Sequence, residues 1–186
     1  MSYAGAAHDR MIAGLIIPCS VVGVDLAAAM VRVSDGAGWT SAWVRWHSVA
    51  AGKARHWRAP SLVEQGALLS PSGQAGMGTF IPGLYGDAGP PPDNPDHVEV
   101  WRFDDGGSLT YDWQARRYTI TLPGGTVTIA VGSTSAVVTD STVTVTAGAI
   151  DLIGPVKIDG TLTVTEDITG LGKIIDTAGN TPNHKH

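Results

Sequence analysis

The chain has 186 residues, of which 43 % are hydrophobic, with a formal net charge of −5 and one cysteine. That length suits one or two domains, and a lone Cys19 excludes an intrachain disulfide. Only Lys157, Lys173 and Lys185 are basic after Arg117, which argues against nucleic acid as a partner, since its phosphates call for a basic face. No charged segment precedes an apolar run at the start, so synthesis in the cytoplasm without a signal peptide is expected. The longest apolar stretch, 11–24, is broken by Gly, Pro and Ser and is too short to span a bilayer.

In chain order, residues 1–10 read as a flexible lead, and no segment shows a convincing amphipathic helix. Strands are expected at 12–24, 30–33 and 39–47, with Asp35-Gly36 as a turn. The tryptophans of the third segment fall on both parities, Trp39 and Trp43 against Trp46, so it must pack on two faces or bend. Cys19, in an Ile-Ile-Pro-Cys-Ser-Val-Val setting, is expected to be a small buried hydrophobe. An Ala-rich basic loop covers 51–58, and two more strands follow at 62–70 and 77–81. Five short strands in roughly 90 residues fit a small barrel of OB type.

Three consecutive prolines within 86–96 form a stiff, extended spacer. Strands are then expected at 98–103, 108–113 and 117–122. All six tryptophans precede Tyr118, and no aromatic residue follows it. Beyond that point short Thr/Val/Ile alternations are cut by Gly, Asp-Ser and Gly-Pro turns, a period-2 pattern with one apolar row and one Thr row. Strands this short cannot bury the apolar row or close their edges alone. The expectation is an all-β chain with an N-terminal OB-like barrel and an intertwined β-helix or β-prism shaft ending in a pointed C-terminal apex. The corresponding regions are 1–96, 97–165 and 166–186. The interior row of the shaft includes Val127, Ile129, Val131, Val143, Val145, Leu162 and Val164.

The stretch WRAPSLVEQGALLSPSGQAGMGTFIPGLY, Trp57 to Tyr85, resembles phage baseplate assembly protein V. These are the central spike proteins of contractile phage tails and of R-type pyocins, a class of bacteriocin. Ala59-Pro60-Ser61, Glu64-Gln65, Leu69-Ser70-Pro71, Gly73 and Pro82-Gly83-Leu84-Tyr85 carry the match. The Pro-rich spacer, the Phe103-Asp-Asp-Gly-Gly turn, the Thr/Val shaft and the final His-Lys-His continue it in order. The resemblance implies a homotrimer on a baseplate, joined to the tail hub through the N-terminal domain. It also implies a metal-tipped apex that pierces a bacterial outer membrane.

His184 and His186 are the candidate metal ligands. Two residues apart in an extended strand, they face the same side. Three chains on one axis would bring six neutral nitrogens, a set that suits octahedral Fe(II) or Ni(II) better than tetrahedral zinc. Iron, as a structural ion shared by three chains, is what the resemblance implies. The shaft could hold a further ion through Asp159, Asp167 or Asp176, although turn positions are the expectation for these. His8, His47, His56 and His97 are expected at the surface. The basic stretch 53–58 is either a solvated loop or a docking surface for the tail hub.

Asp93, Asp96, Glu99, Asp104 and Asp105 invite a hydrolase reading, but their Gly and Pro neighbours mark turn chemistry. Without a nucleophile, metalloprotease or phosphate-loop motif, no catalytic or cofactor-binding residue is assigned. The expected function is therefore a non-enzymatic, membrane-piercing spike of a phage or pyocin tail. The alternative is a trimeric tail-tip module that binds a cell-surface glycan.

Overall fold

In the computed structural model, residues 3–172 are described. They divide into two compact units between Pro123 and Gly124, and each is described by itself. Strands are the main regular element of both, and among the described residues there is one α-helix, at the start.

The first unit opens on α1 (Tyr3–Ala13), where a flexible lead was expected. Its Ala-rich sequence favours helix intrinsically, but a piece this short needs tertiary support. That support is a glycine contact. Gly14 follows the helix, and a Cβ there would lie 3.2 Å from the Cα of Gly73. Gly73 in turn has φ +72°, and a Cβ on it would lie 2.8 Å from the Met11 carbonyl oxygen.

β1 (Ile16–Asp25), β2 (Met30–Ser34), β3 (Val44–Trp46), β4 (Gln65–Leu69) and β5 (Thr79–Leu84) close a barrel in the order β1-β2-β3-β5-β4. The expected OB-type barrel is therefore present, with β1 pairing β4 through its first half and β2 through its second. A register shift between Val21 and Gly23 inserts the extra residue that bends β1 around the corner. All pairings are antiparallel except β3 with β5, where Arg45 and Trp46 lie beside Thr79 and Phe80.

The barrel interior is Cys19, Val21, Val31, Val33, Val44, Leu68 and Phe80, with Trp39 and Trp46 packed against it. Alternation along β1, β2 and β4 puts Cys19, Val21, Val31, Val33 and Leu68 on one face. Burial raises the Cys19 thiol pKa, as expected for a small buried hydrophobe. Gly66 is required by space: a Cβ there would fall 2.3 Å from the Ile81 carbonyl oxygen and 2.5 Å from the Phe80 ring.

The segment expected as a strand over 39–47 is shorter. Ser41 turns its hydroxyl inward, accepting the Val33 N–H at 3.0 Å and donating to the Ala42 carbonyl at 2.7 Å. The backbone bends at Trp43; Trp39 and Trp46 pack against the core while Trp43 stays 45 % exposed.

After the spacer, β6 (Val98–Arg102), β7 (Ser108–Asp112) and β8 (Arg117–Thr121) form an antiparallel meander that groups with the barrel unit. The second unit carries β9 (Val127–Val131), β10 (Thr134–Val138) and β11 (Val143–Thr146) in the order β11-β10-β9. From residue 147 to 172 the single chain forms no strand, although the Thr/Val alternation predicts strands through 165. A strand needs a hydrogen-bonded neighbour, and here one chain supplies none.

Candidate functional site

The three strands of the second unit share one apolar face. Their register places Val127, Val138 and Val143 side by side, then Ile129, Ala136 and Val145, with Val131 beside Thr134. The reverse face carries Thr128, Ala130, Ser135, Val137, Thr144 and Thr146. Ile129 is 68 % exposed and Val131 77 %, and no described residue from 124 to 172 is buried. Full burial of a Val, Ile or Leu side chain is worth about 1.5–3 kcal/mol, so this face represents a large stabilisation that one chain leaves unrealised.

The strandless stretch repeats the arrangement at a shorter step. Ile150 and Leu152, Val156 and Ile158, then Leu162 and Val164 are apolar pairs six residues apart, and Ile168 begins a fourth. Gly154 and Gly160 occupy the same place in successive six-residue units, with φ +127° and +141°, a region that side chains rarely enter. Within the pairs Asp151, Lys157 and Thr163 separate the two apolar members, and Thr169 follows Ile168 in the same place. This is a regular succession of short extended pairs and glycine turns, with every apolar pair exposed. The spacing was present in the sequence, but the less regular strand rhythm before Ala147 obscured it.

The β6–β8 sheet is also two-faced. Trp101, Leu109 and Ile120 stand side by side, and Glu99, Tyr111 and Tyr118 form the next row of the same face. Trp101 is 52 % exposed and Tyr118 60 %. His56, from the basic loop, meets the Trp101 ring edge-on at 6.3 Å. Near the other face, His97 Nδ1 lies 3.2 Å from Asp112 Oδ1 and its ring is edge-on to Trp113. His56 and His97 are thus half-buried and partnered rather than free at the surface, whereas His8 and His47 are exposed.

The Ala115 N–H donates to Asp112 Oδ1 at 2.8 Å. This bond is the largest influence and holds the Asp112 carboxyl below its ordinary pKa; burial opposes it, and the His97 contact adds to the lowering. Turn chemistry accounts for two of the carboxylates that invited a hydrolase reading. Asp105 Oδ1 accepts the Gly107 N–H at 2.9 Å, and Asp93 Oδ1 accepts the Asn94 N–H at 2.9 Å. Glu99 Oε1 accepts the Trp101 indole N–H at 3.2 Å. Asp159 forms an exposed 3.0 Å ion pair with Lys157.

Among the described residues no group of three or more His, Cys, Asp or Glu side chains could hold a metal. His184, His186 and Asp176 lie outside the described residues. Two depressions on the barrel, about 440 and 340 Å³, are lined by Leu15, Arg45 and Met77 in one and by Pro18, Asp35 and Tyr85 in the other. No helix among the described residues is long and apolar enough to cross a membrane.

Comparison with known proteins agrees with this geometry region by region. Residues 17–85, which contain the barrel, match the family described as the Type VI secretion system/phage-baseplate injector OB domain. Residues 99–170, which contain the three apolar faces, match the family described as Gp138, beta helical trimerization domain. The chain is 30 % identical to the spike protein of Escherichia phage P2 over 176 residues, covering 91 % of this chain and 82 % of that protein. With an injector-type barrel followed by a trimerization segment, and a relative matched over 91 % of this chain, the chain belongs to the phage baseplate spike proteins.

Proposed function

We propose that this protein is the membrane-piercing central spike of a contractile tail, acting mechanically as a homotrimer on a bacterial outer membrane. The observation that carries the reading is the exposed apolar row, Val127 to Ile168, in a segment that matches a trimerization domain. Three chains wound together would bury that row and give every strand edge a neighbour. The outward residues are mostly Thr and Ser, with few charges. Such a surface enters lipid without the heavy desolvation penalty of a charged one. Contraction elsewhere in the tail supplies the work, and the spike has only to remain rigid. The barrel would join the spike to the hub. A catalytic contribution is not needed for this task, and of the carboxylates that suggested one Asp93 and Asp105 accept local backbone N–H groups while Glu99 accepts the Trp101 indole N–H.

His184 and His186 of each chain would hold a structural metal ion, and their donor chemistry fits an imidazole-binding metal such as iron. The ion's contribution would be to clasp three chain ends. Elemental mass spectrometry of untagged protein should give one metal per three chains, and dialysis at pH 4 should remove it as the imidazoles protonate. No stoichiometric metal would leave the trimer argument intact and reduce the pair to a tail.

The piercing role is tested with outer-membrane vesicles loaded with a dye. Tails that carry the spike should release dye on contraction, and tails assembled with a spike truncated after Thr181 should release less. Equal release by both would exclude a role for the apex.

A further inference from the structure

The turn that leads into β4 holds a side chain where the backbone least tolerates one. Val63 has φ +62°, the left-handed region that is an outlier for a β-branched residue. Among the described residues the other non-glycine positions with positive φ are Ala29, Ser72 and Arg116, none of them β-branched. Ala29 and Arg116 lie in the turns between β1 and β2 and between β7 and β8, and Ser72 lies in a 3-10 turn.

Val63 is held in place by a dense set of bonds. Its N–H donates to the Val21 carbonyl at 2.8 Å, and the Val21 N–H donates to the Glu64 carbonyl at 3.0 Å. Glu64 accepts both guanidinium arms of Arg58, at 2.6 and 3.1 Å, and the Ser61 N–H at 2.9 Å. The Glu64 side chain is only 13 % exposed, and Pro60 is buried. Yet what this frame presents faces outward: Leu62 is 61 % exposed, Val63 63 % and Trp57 63 %. Glycine or asparagine would take this conformation with less strain. An exposed isopropyl group there adds nothing to the barrel core, and backbone strain of this kind gathers at binding sites.

We propose that the segment Trp57–Glu64 is the surface by which the barrel docks on a baseplate component, with Leu62 and Val63 as the apolar contact. This rests on the reading that the barrel joins the spike to the baseplate. The charge pattern states the chemistry of the partner. Lys53, Arg55 and Arg58 stand within six residues of a chain whose net charge is −5. Arg58 is paired with Glu64, whereas Lys53 and Arg55 are exposed with no ion-pair partner among the described residues. The fitting partner is a protein face with an apolar socket bordered by carboxylates. A second copy of the chain is the weaker occupant, because the turn lies in the segment matched to the injector barrel, 17–85, outside the trimerization match at 99–170.

The test assembles tails of the parent particle with its own spike gene deleted and the spike supplied in trans, then measures spike per tail by quantitative immunoblot. Val63→Gly should remain trimeric, with a melting temperature equal to or above that of the wild type, yet be incorporated at least tenfold less. Leu62→Ser and the double variant Lys53→Glu/Arg55→Glu should also lower incorporation, whereas Leu26→Ser, on an exposed hairpin elsewhere, should not. Wild-type incorporation of Val63→Gly overturns the proposal. Loss of the trimer in that variant also overturns it, by assigning the turn to contacts between copies. Failure of the wild-type spike itself to enter tails defeats the baseplate reading before any variant is compared.

Discussion

The barrel and the second unit bury their apolar residues by different means. In the barrel five strands close on themselves, and Val31, Val33, Leu68 and Phe80 are fully inaccessible within one chain. In the second unit three strands and a series of six-residue steps leave Ile129, Val131, Val143 and Ile153 between 68 and 100 % exposed. Both regions follow the same period-2 alternation. What differs is closure: ring closure gives each barrel strand two neighbours, whereas β9 and β11 keep open edges and residues 147–172 have no strand pairing at all. Local pattern is therefore enough for a strand but not for a core, and the second unit's core must come from other chains.

The sharpest way to break that contrast is a charge in the exposed row. Ile158→Asp places three carboxylates together if three chains meet there, and burying an unpaired charge costs several kcal/mol each. The trimer should be lost while the barrel still melts cooperatively, as read by sedimentation and calorimetry. A trimer that survives would show that the row is not the interface.

The complementary change strikes the barrel alone. Leu68→Ala should cost about 2–5 kcal/mol and lower the first unit's melting transition while the trimer persists. Gly66→Ala should act in the same direction, because its Cβ meets the Ile81 carbonyl oxygen and the Phe80 ring. If either variant also dissociated the trimer, the two regions would not be separable in folding.

Smaller effects sharpen the six-residue reading. Gly160→Ala forces a side chain into φ +141°, a strain of order 1–3 kcal/mol per chain. Gly148→Ala, where φ is ordinary and a Cβ meets nothing within 4 Å, should be nearly neutral. Equal melting temperatures for the two variants would remove the turn role assigned to Gly160.

The smallest expected effect is a pH dependence in the β6–β8 sheet. The pKa of Asp112 is lowered on folding, chiefly by the Ala115 N–H, so folding favours its charged form. Its contribution to stability is complete above the ordinary carboxylate pKa of about 4. It is lost as pH falls through the lower folded value. Asp112→Asn should therefore lower the melting temperature slightly at pH 7 and converge with the wild type near pH 2. A constant difference across that range would assign the effect to packing.

Much of the barrel was legible in alternation and turn residues. Val21, Val31, Val33 and Leu68 lie on apolar parities, and Asp35-Gly36 forms the expected turn, with Gly36 at φ +77°. The helix at 3–13 was not legible, because its stability depends on the approach of Gly14 to Gly73, a contact between residues far apart in the chain. Nor does a sequence show that Val63 adopts a positive φ. Valine is the wrong residue for that conformation, and only the surrounding bonds from Val21, Ser61 and Arg58 impose it. The metal-ligand assignment to His184 and His186 rests on residue type, spacing and resemblance.

The sequence alone determined that this chain alternates, that its rings are confined to the first two-thirds, and that its last third has an apolar row too thin to cover itself. Those properties follow from side-chain type and a two-residue period, which are local. The tertiary structure decided which parity faces inward, bending the chain at Trp43 so that Trp39 and Trp46 pack against the core and Trp43 does not. It also decided where glycine must stand, because only three-dimensional closure brings Gly66 against Phe80.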